Sequence, residues 1–214
     1  DVSDMTLRTD LKALDQQRSI IRVHGGVRSV GYAIGTDDLL ANRSSRSVAQ
    51  KGEIARQAIE LIRPNTTIFV DSGSTTTAMA AALSDMRLLV FTNSLTVAIE
   101  LARLNQVVTY LIGGQLNRAS MSISGARATN SLRMLAFDQL FLGVTAYERR
   151  GGFSCGLDDE AVFKATCMKC ASETIVLMDS SKEGKRTTFP ICGLAEVDRI
   201  VSDGGLSQEL LDDC

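Results

Sequence analysis

The chain predicts an α/β domain, a mostly parallel sheet with helices on both faces, and three observations carry that expectation. From Val48 onward, short apolar runs alternate with segments of helical period, the pattern of strands joined by crossover helices. Runs such as Ile68 to Val70 are continuously apolar, as strands covered on both faces are. With 214 residues, 44% of them hydrophobic, the chain can bury one sizeable core and carry a small appendage.

The first 31 residues read differently from the rest. Leu7, Leu11 and Leu14 recur at helical spacing and predict a helix over 3–16, capped by Ser3 or Asp4, with Thr6, Arg8, Thr9 and Lys12 on its polar side. Ile20 to Val23 and Val27 to Val30 predict two short strands around a turn at His24-Gly25-Gly26. One helix and one hairpin cannot bury a core, so this stretch is expected either to pack on a further element or to be the remainder of a larger module. A basic helix followed by a hairpin bearing Arg22, His24 and Arg28 fits the end of a winged helix-turn-helix. On charge alone an ordinary amphipathic helix and hairpin is the better reading, because Asp1, Asp4, Asp10 and Asp15 dilute the basic residues.

Residues 32–47 show no clear period, and Asn42-Arg43-Ser44-Ser45-Arg46 suggests a linker. The expected organisation is therefore 1–31, a linker over 32–47, and a domain over 48–214. In that domain Ile54, Ala55, Ala58, Ile59 and Ile62 line a helix ended by Pro64-Asn65. Strands are predicted over 68–70, 88–91, 107–112, 139–142, 174–178 and 199–201. Helices between them are predicted notably over 96–103, 127–135 and 159–172.

The stretch Ile68 to Thr77, IFVDSGSTTT, couples a buried strand to a polar helix start. Such a loop offers unpaired backbone N–H groups and the positive end of a helix dipole. Gly73 lets backbone approach a ligand, and Ser72, Ser74, Thr75 and Thr76 can donate hydrogen bonds, so an anion such as phosphate fits. Equally, the hydroxyls could do no more than cap the helix. The GxxxxGK[ST] spacing is missing, which argues against a nucleoside triphosphate.

Ligands in such sheets bind beyond the carboxyl ends of the strands. Thr92-Asn93-Ser94, Gly113-Gly114-Gln115 and Asp179-Ser180-Ser181-Lys182 also follow strands, and with the hydroxyl loop they outline a polar crevice. Glu160 and Lys164 sit four apart on a helix, where the usual meaning is a surface ion pair. Lys182 reads either as a solvated lysine or as a charge partner for a phosphate.

Several classes are disfavoured. A formal charge of −2 advertises no bulk field for nucleic acid or an anionic membrane. No apolar run nears the ~20 residues that span a bilayer, and no leader stands at the front, so a soluble cytoplasmic protein is expected. The five cysteines are scattered, and His24 is the only histidine. Neither a disulfide framework nor a zinc site is therefore expected, and no cofactor is implied.

Taken together, the motifs resemble the DeoR family of bacterial transcription regulators over nearly the whole chain. VSDMTLRTDLKALDQQRSIIRVHGG is similar to the recognition helix and wing of that family's DNA-binding domain. VDSGSTTT, FTNS, IGGQL, SISG, FDQLFLG, DDEAVFKATC and LMDSSK follow in the order of its sensor domain. The resemblance implies a fold related to ribose-5-phosphate isomerase and the CoA transferases, and a sensor for phosphorylated sugars or their derivatives. By position it implies an effector pocket of Asp71, Ser72, Gly73, Ser74, Thr75 and Thr76 on one side and Thr92 and Asn93 on the second. Gly113 and Gly114 would be its floor, and Glu160, Lys164 and Lys182 its far wall. Thr6, Arg8, Thr9, Lys12, Arg22 and His24 would face operator DNA, and a homodimer or homotetramer would pair the half-sites.

The chain departs from the family pattern in places. Arg8-Thr9-Asp10 stands where two arginines before the aspartate are usual, and Glu183 where an aromatic is common. The pattern also implies about two helices ahead of residue 1 and a further strand beyond Cys214. The competing expectation is an enzyme, a sugar-phosphate isomerase or CoA-transferase-like protein using the same crevice with Glu160 or Asp71 as general base. A blander one is a binding module that senses a metabolite and acts through protein partners.

Overall fold

The computed structural model describes residues 20–23, 26–29 and 39–214, with side chains from residue 39 onward. The chain divides into two compact units, Asp1–Thr36 and Asp37–Cys214. The described part of the first is an antiparallel hairpin, β1 (Ile20–Val23) with β2 (Gly26–Ser29), pairing Ile20 with Ser29 and Val23 with Gly26. The return strand begins one residue before the expected start. The predicted helix over 3–16 with Thr6, Arg8, Thr9 and Lys12, together with His24 and the side chain of Arg22, lies outside the described residues.

In the second unit the strands are β3 (Thr67–Val70), β4 (Leu88–Thr92), β5 (Val107–Leu111), β6 (Gln115–Asn117), β7 (Ser122–Ser124), β8 (Gln139–Gly143), β9 (Ala146–Glu148), β10 (Gly152–Cys155), β11 (Thr174–Leu177), β12 (Phe189–Cys192) and β13 (Arg199–Val201). Six of these form a parallel sheet in the order β13-β11-β8-β3-β4-β5. These are the six strands expected from the apolar runs, each bounded within a residue of its predicted limits. The chain leaves β3 toward β4 and β5, then returns to lay β8, β11 and β13 on the other side of it. The strand order thus reverses between β3 and β8.

Continuous apolar strands make sense because both faces of this sheet are covered. Side chains alternate along a strand, so Ile68 and Val70 join Phe141, Ile175 and Leu177 on one face. Phe69 joins Leu140, Leu142 and Val176 on the other. Ile54, Ala55 and Ala58 of the helix Val48–Glu60, and Met79 and Ala80 of the helix Ser74–Ala82, close the first cluster. Ala128 and Leu132 of the helix Ala126–Leu132, and Phe163 of the helix Asp158–Lys169, close the second. Each large side chain so buried stabilises the fold by about 1.5–3 kcal/mol.

Two features were not legible in the pattern. An antiparallel sheet in the order β12-β10-β9 and the hairpin β6–β7 are built from strands of three or four residues interrupted by polar residues, glycine or proline, which leave no apolar run to read. Within the stretch read as linker, Leu40–Ser45 is helical. Leu40 is buried, and its N–H donates to the Ala119 carbonyl at 2.7 Å. Among the described residues, no helix is long and apolar enough to cross a membrane.

Candidate functional site

A cleft of about 270 Å³ opens beyond the carboxyl ends of β3, β8 and β11, where the strand order reverses. Its first wall is the loop after β3. The Asp71 N–H still pairs with the Phe141 carbonyl at 3.0 Å, and the chain then turns at Gly73 with φ 153° and ψ 167°, a conformation open essentially only to glycine. Gly73 is the N-cap of the helix Ser74–Ala82, and no side chain caps it. The first N–H groups of that helix therefore lack a capping side chain and carry the positive end of its dipole.

The hydroxyls of the loop divide into two sets. Thr76 and Thr77 both donate to the Gly73 carbonyl, at 3.0 and 2.7 Å, and so belong to the helix turn. Ser72, Ser74 and Thr75 line the cleft. Thr75 Oγ1 is buried with no hydrogen-bond partner, although buried polar atoms are nearly always paired. A ligand atom in the cleft would supply what it lacks.

Beneath the loop lies an ionic centre. Lys164 reaches from the helix Asp158–Lys169 to the Asp71 carboxylate, donates to the Gly143 carbonyl at 2.8 Å, and stands 3.3 Å from Glu160. The Gly143 N–H donates to Asp71 Oδ2 at 3.0 Å. Gly143 packs closely here, since a Cβ at that position would sit 3.2 Å from the Ser72 carbonyl oxygen and push it back by a few tenths of an ångström. Burial by itself would push the Lys164 amine down, but the Asp71 and then the Glu160 carboxylates outweigh it, and the ammonium is held charged above the ordinary lysine range. Burial raises the Asp71 carboxyl, and the Lys164 charge opposes that rise. Asp71 is the partner of a buried cation, which is not the arrangement of a free general base.

Lys182 stands on the loop after β11, with its side chain 19% exposed. It donates to the Val144 carbonyl at 2.7 Å and lies 4.0 Å from Asp179. Burial lowers its pKa to about 8; Asp179 resists, while Lys51, Arg43 and Lys164 lower it further. A crowded cation of this kind gains most when an anion arrives.

The remaining wall, Arg43, Arg46, Ser47 and Lys51, was not foreseen. Lys51 is buried, and its ammonium donates to the carbonyls of Arg43 and of Arg46, the latter at 2.6 Å. A signal existed in the sequence: Lys51 lies three residues before Ile54, on the same stripe as the buried Ile54, Ala55 and Ala58. A cation on an apolar stripe points to a buried polar partner.

Of the residues expected in a pocket, Ser72, Gly73, Ser74, Thr75, Glu160, Lys164 and Lys182 do line this cleft. Asp71 and Thr76 are buried and absent from its lining. Four others have different positions. Thr92 Oγ1 accepts from the Ser94 N–H at 3.0 Å, and Asn93 Nδ2 donates to the Ile123 carbonyl at 3.0 Å, pinning β7. Gly113 lies outside the cleft, and Gly114 lines a separate depression with Gln115, Ser124 and Gly125. These residues end or follow β4 and β5, on the opposite side of β3 from β8, so they do not converge with the loops after β8 and β11. The pairing of Glu160 with Lys164 is likewise no surface bridge, since the lysine is 1% exposed.

Comparison with known proteins shows the family to which the chain belongs. Residues 46–204 match the model of the DeoR C terminal sensor domain, and residues 1–31 match that of the DeoR-like helix-turn-helix domain. The HTH-type transcriptional regulator GlpR of Haloferax volcanii is 31% identical over 208 residues, covering 97% of this chain and 81% of that protein. The lactose phosphotransferase system repressor of Staphylococcus aureus N315 is 30% identical over 204 residues, covering 94% and 81%. Among solved structures, the translation initiation factor eIF-2B of Pyrococcus horikoshii matches with a TM-score of 0.51 and 15% identity, over 78% of this chain and 67% of its own. Ribose 5-phosphate isomerase A of Methanocaldococcus jannaschii matches with a TM-score of 0.45 and 19% identity, over 64% and 54%. At 15% identity the likeness to the initiation factor concerns the fold alone. The two family models together span most of the chain, relatives named as regulators match it over nearly its whole length, and the protein belongs to the DeoR family.

Proposed function

We propose that this protein is a transcriptional repressor of a sugar-metabolism operon, controlled by a phosphorylated sugar or sugar derivative that binds in the cleft between β3 and β8. The observation that carries the reading is the unpartnered Thr75 hydroxyl beside an uncapped helix start, in a cleft lined by several cations. Backbone N–H groups, a hydroxyl and Lys182 together suit a phosphate dianion. Relatives named as a regulator and a repressor support the regulatory side of the proposal.

Residues 1–31 would contribute to operator binding, with Thr6, Arg8, Thr9, Lys12, Arg22 and His24 toward DNA. Paired half-sites would call for a homodimer or homotetramer, working in the cytoplasm. Control requires the effector to prefer one arrangement of the DNA-binding units; tight binding to both would regulate nothing.

A thermal-shift panel of phosphorylated sugars against their unphosphorylated counterparts, repeated with Ser74→Glu, tests the cleft. A ligand that binds only the native state stabilises it by about 2.7 kcal/mol at a hundredfold excess over Kd. At least one phosphate should raise the melting temperature well beyond its free sugar, and Ser74→Glu should remove that gain. Equal shifts from free sugars, or an undiminished shift in the variant, would overturn the assignment.

A further inference from the structure

Among the described residues, the cleft is lined by Arg43, Arg46, Lys51, Lys164, Lys182 and Lys185 against only Glu160 and Asp179. One phosphate does not use them all. Lys164 is held by Asp71 and Glu160, whereas Lys182 follows β11, whose loop borders the cleft together with the Gly73–Thr75 turn. Arg43 belongs to a different wall, the helix Leu40–Ser45.

Its guanidinium is incompletely satisfied. Arg43 Nε is buried and has no acceptor. The carbonyls of Arg43 and Arg46, which end the same helix, already accept from Lys51. Buried N–H donors without acceptors are rare, and a guanidinium presents a planar fork that matches a carboxylate or phosphate with two parallel hydrogen bonds. A neutral sugar hydroxyl could take one bond but would leave the charge unopposed.

We propose that the effector carries a second anionic group besides the phosphate at the Gly73–Thr75 turn, and that Arg43 reads it. This rests on the sugar-phosphate reading above and narrows it to bis-anionic ligands, either sugar bisphosphates or phosphorylated sugar acids. Arg43 is then a specificity-determining residue, while the turn supplies the contact common to every phosphate.

The test is a set of thermal-shift titrations with glucose 6-phosphate, fructose 6-phosphate, fructose 1,6-bisphosphate and 6-phosphogluconate on the unaltered protein and on Arg43→Gln, Arg43→Lys and Ser74→Glu. One of the two bis-anionic probes should reach a given shift at a concentration at least tenfold below the monophosphates, and which one does so identifies the second group. Arg43→Gln should erase that advantage while moving the monophosphate response less than threefold, and Arg43→Lys should restore only part of it. The melting temperature of each variant without ligand verifies that it folds. The proposal is overturned if bis-anionic probes have no advantage, or if Arg43→Gln leaves the advantage intact. Should monophosphates bind and respond to Ser74→Glu without any bis-anionic preference, the effector site stands and only the second group fails. Should no phosphate bind at all, both readings fail together.

Discussion

The Lys164 ammonium and the Asp71 carboxylate, 93 residues apart in sequence, meet in the interior with each side chain 1% exposed. With Gly143 they close a ring, since Lys164 donates to its carbonyl and its N–H donates to Asp71. The ring ties the end of β3, the end of β8 and the helix Asp158–Lys169 together directly beneath the cleft. Burying two charges costs several kcal/mol per ion, and only good geometry repays it. Removing one partner is therefore far more damaging than removing both.

Lys164→Met should lower unfolding free energy by about 3–5 kcal/mol, because it strands the Asp71 charge in the interior. Asp71→Asn combined with Lys164→Met should recover a large part of that loss. Urea denaturation of the two single variants and the double variant measures the coupling. A single-variant loss below about 1 kcal/mol would show that the pair is solvated rather than buried.

Lys182 gives a pH dependence of definite sign. Its folded pKa of about 8 lies below the ordinary 10.5, so between those values the unfolded chain holds a proton that the folded chain has lost. Stability of the unliganded protein should rise with pH across that window. Lys182→Met should flatten the rise and stabilise the unliganded protein at pH 7 by on the order of 1–2 kcal/mol. A phosphate ligand needs the ammonium, so calorimetric affinity should fall from pH 7 to pH 9 in the unaltered protein. Affinity that is flat with pH would remove Lys182 from the phosphate's contacts.

Asn93 separates the sequence expectation from the geometry. Asn93→Ala removes the bond to the buried Ile123 carbonyl and should cost about 1–3 kcal/mol of stability. The concentration of phosphorylated sugar that gives half the maximal thermal shift should stay unchanged, since Asn93 does not line the cleft. A tenfold change in that concentration would return Asn93 to the effector's contacts.

Gly73→Ala tests the turn itself. The backbone there is glycine-specific, and an added Cβ meets only Thr76 Oγ1 at an ordinary 3.5 Å, so conformational strain is the dominant cost. The loss should be about 1–3 kcal/mol by urea denaturation. Relaxation of the turn should also redirect the first N–H groups and weaken phosphate binding at least tenfold in the same titrations. Unchanged binding would mean that the phosphate does not rest on this turn.

Much was legible without coordinates, for reasons specific to particular residues. Ile68 to Val70, Leu140 to Leu142 and Ile175 to Leu177 read as strands covered on both faces, because each is an unbroken apolar run and the polar or glycine-bearing segments around it keep it short. The break from Val70 to Asp71-Ser72-Gly73 had to be a turn into a helix, because hydroxyls and glycine fit there while Ala78 to Leu83 resume as strong helix formers. Motif order along the chain was enough to identify the family.

Which loops converge could not be read in the same way. The loops after β4 and β5 look as polar in sequence as those after β8 and β11, and only the placement of β8 on the other side of β3 separates them. Arg43 and Lys51 reach the cleft from a stretch that reads as linker and helix, and Lys164, at surface-pair spacing from Glu160, turns inward to Asp71. Periodicity and turn chemistry are local, set by neighbours a few residues away, so the sequence determined the elements and the hydroxyl turn. Strand order and the meeting of Asp71 with Lys164 arise from contacts between distant segments that compete to bury the same surfaces, and only the folded chain decides that competition.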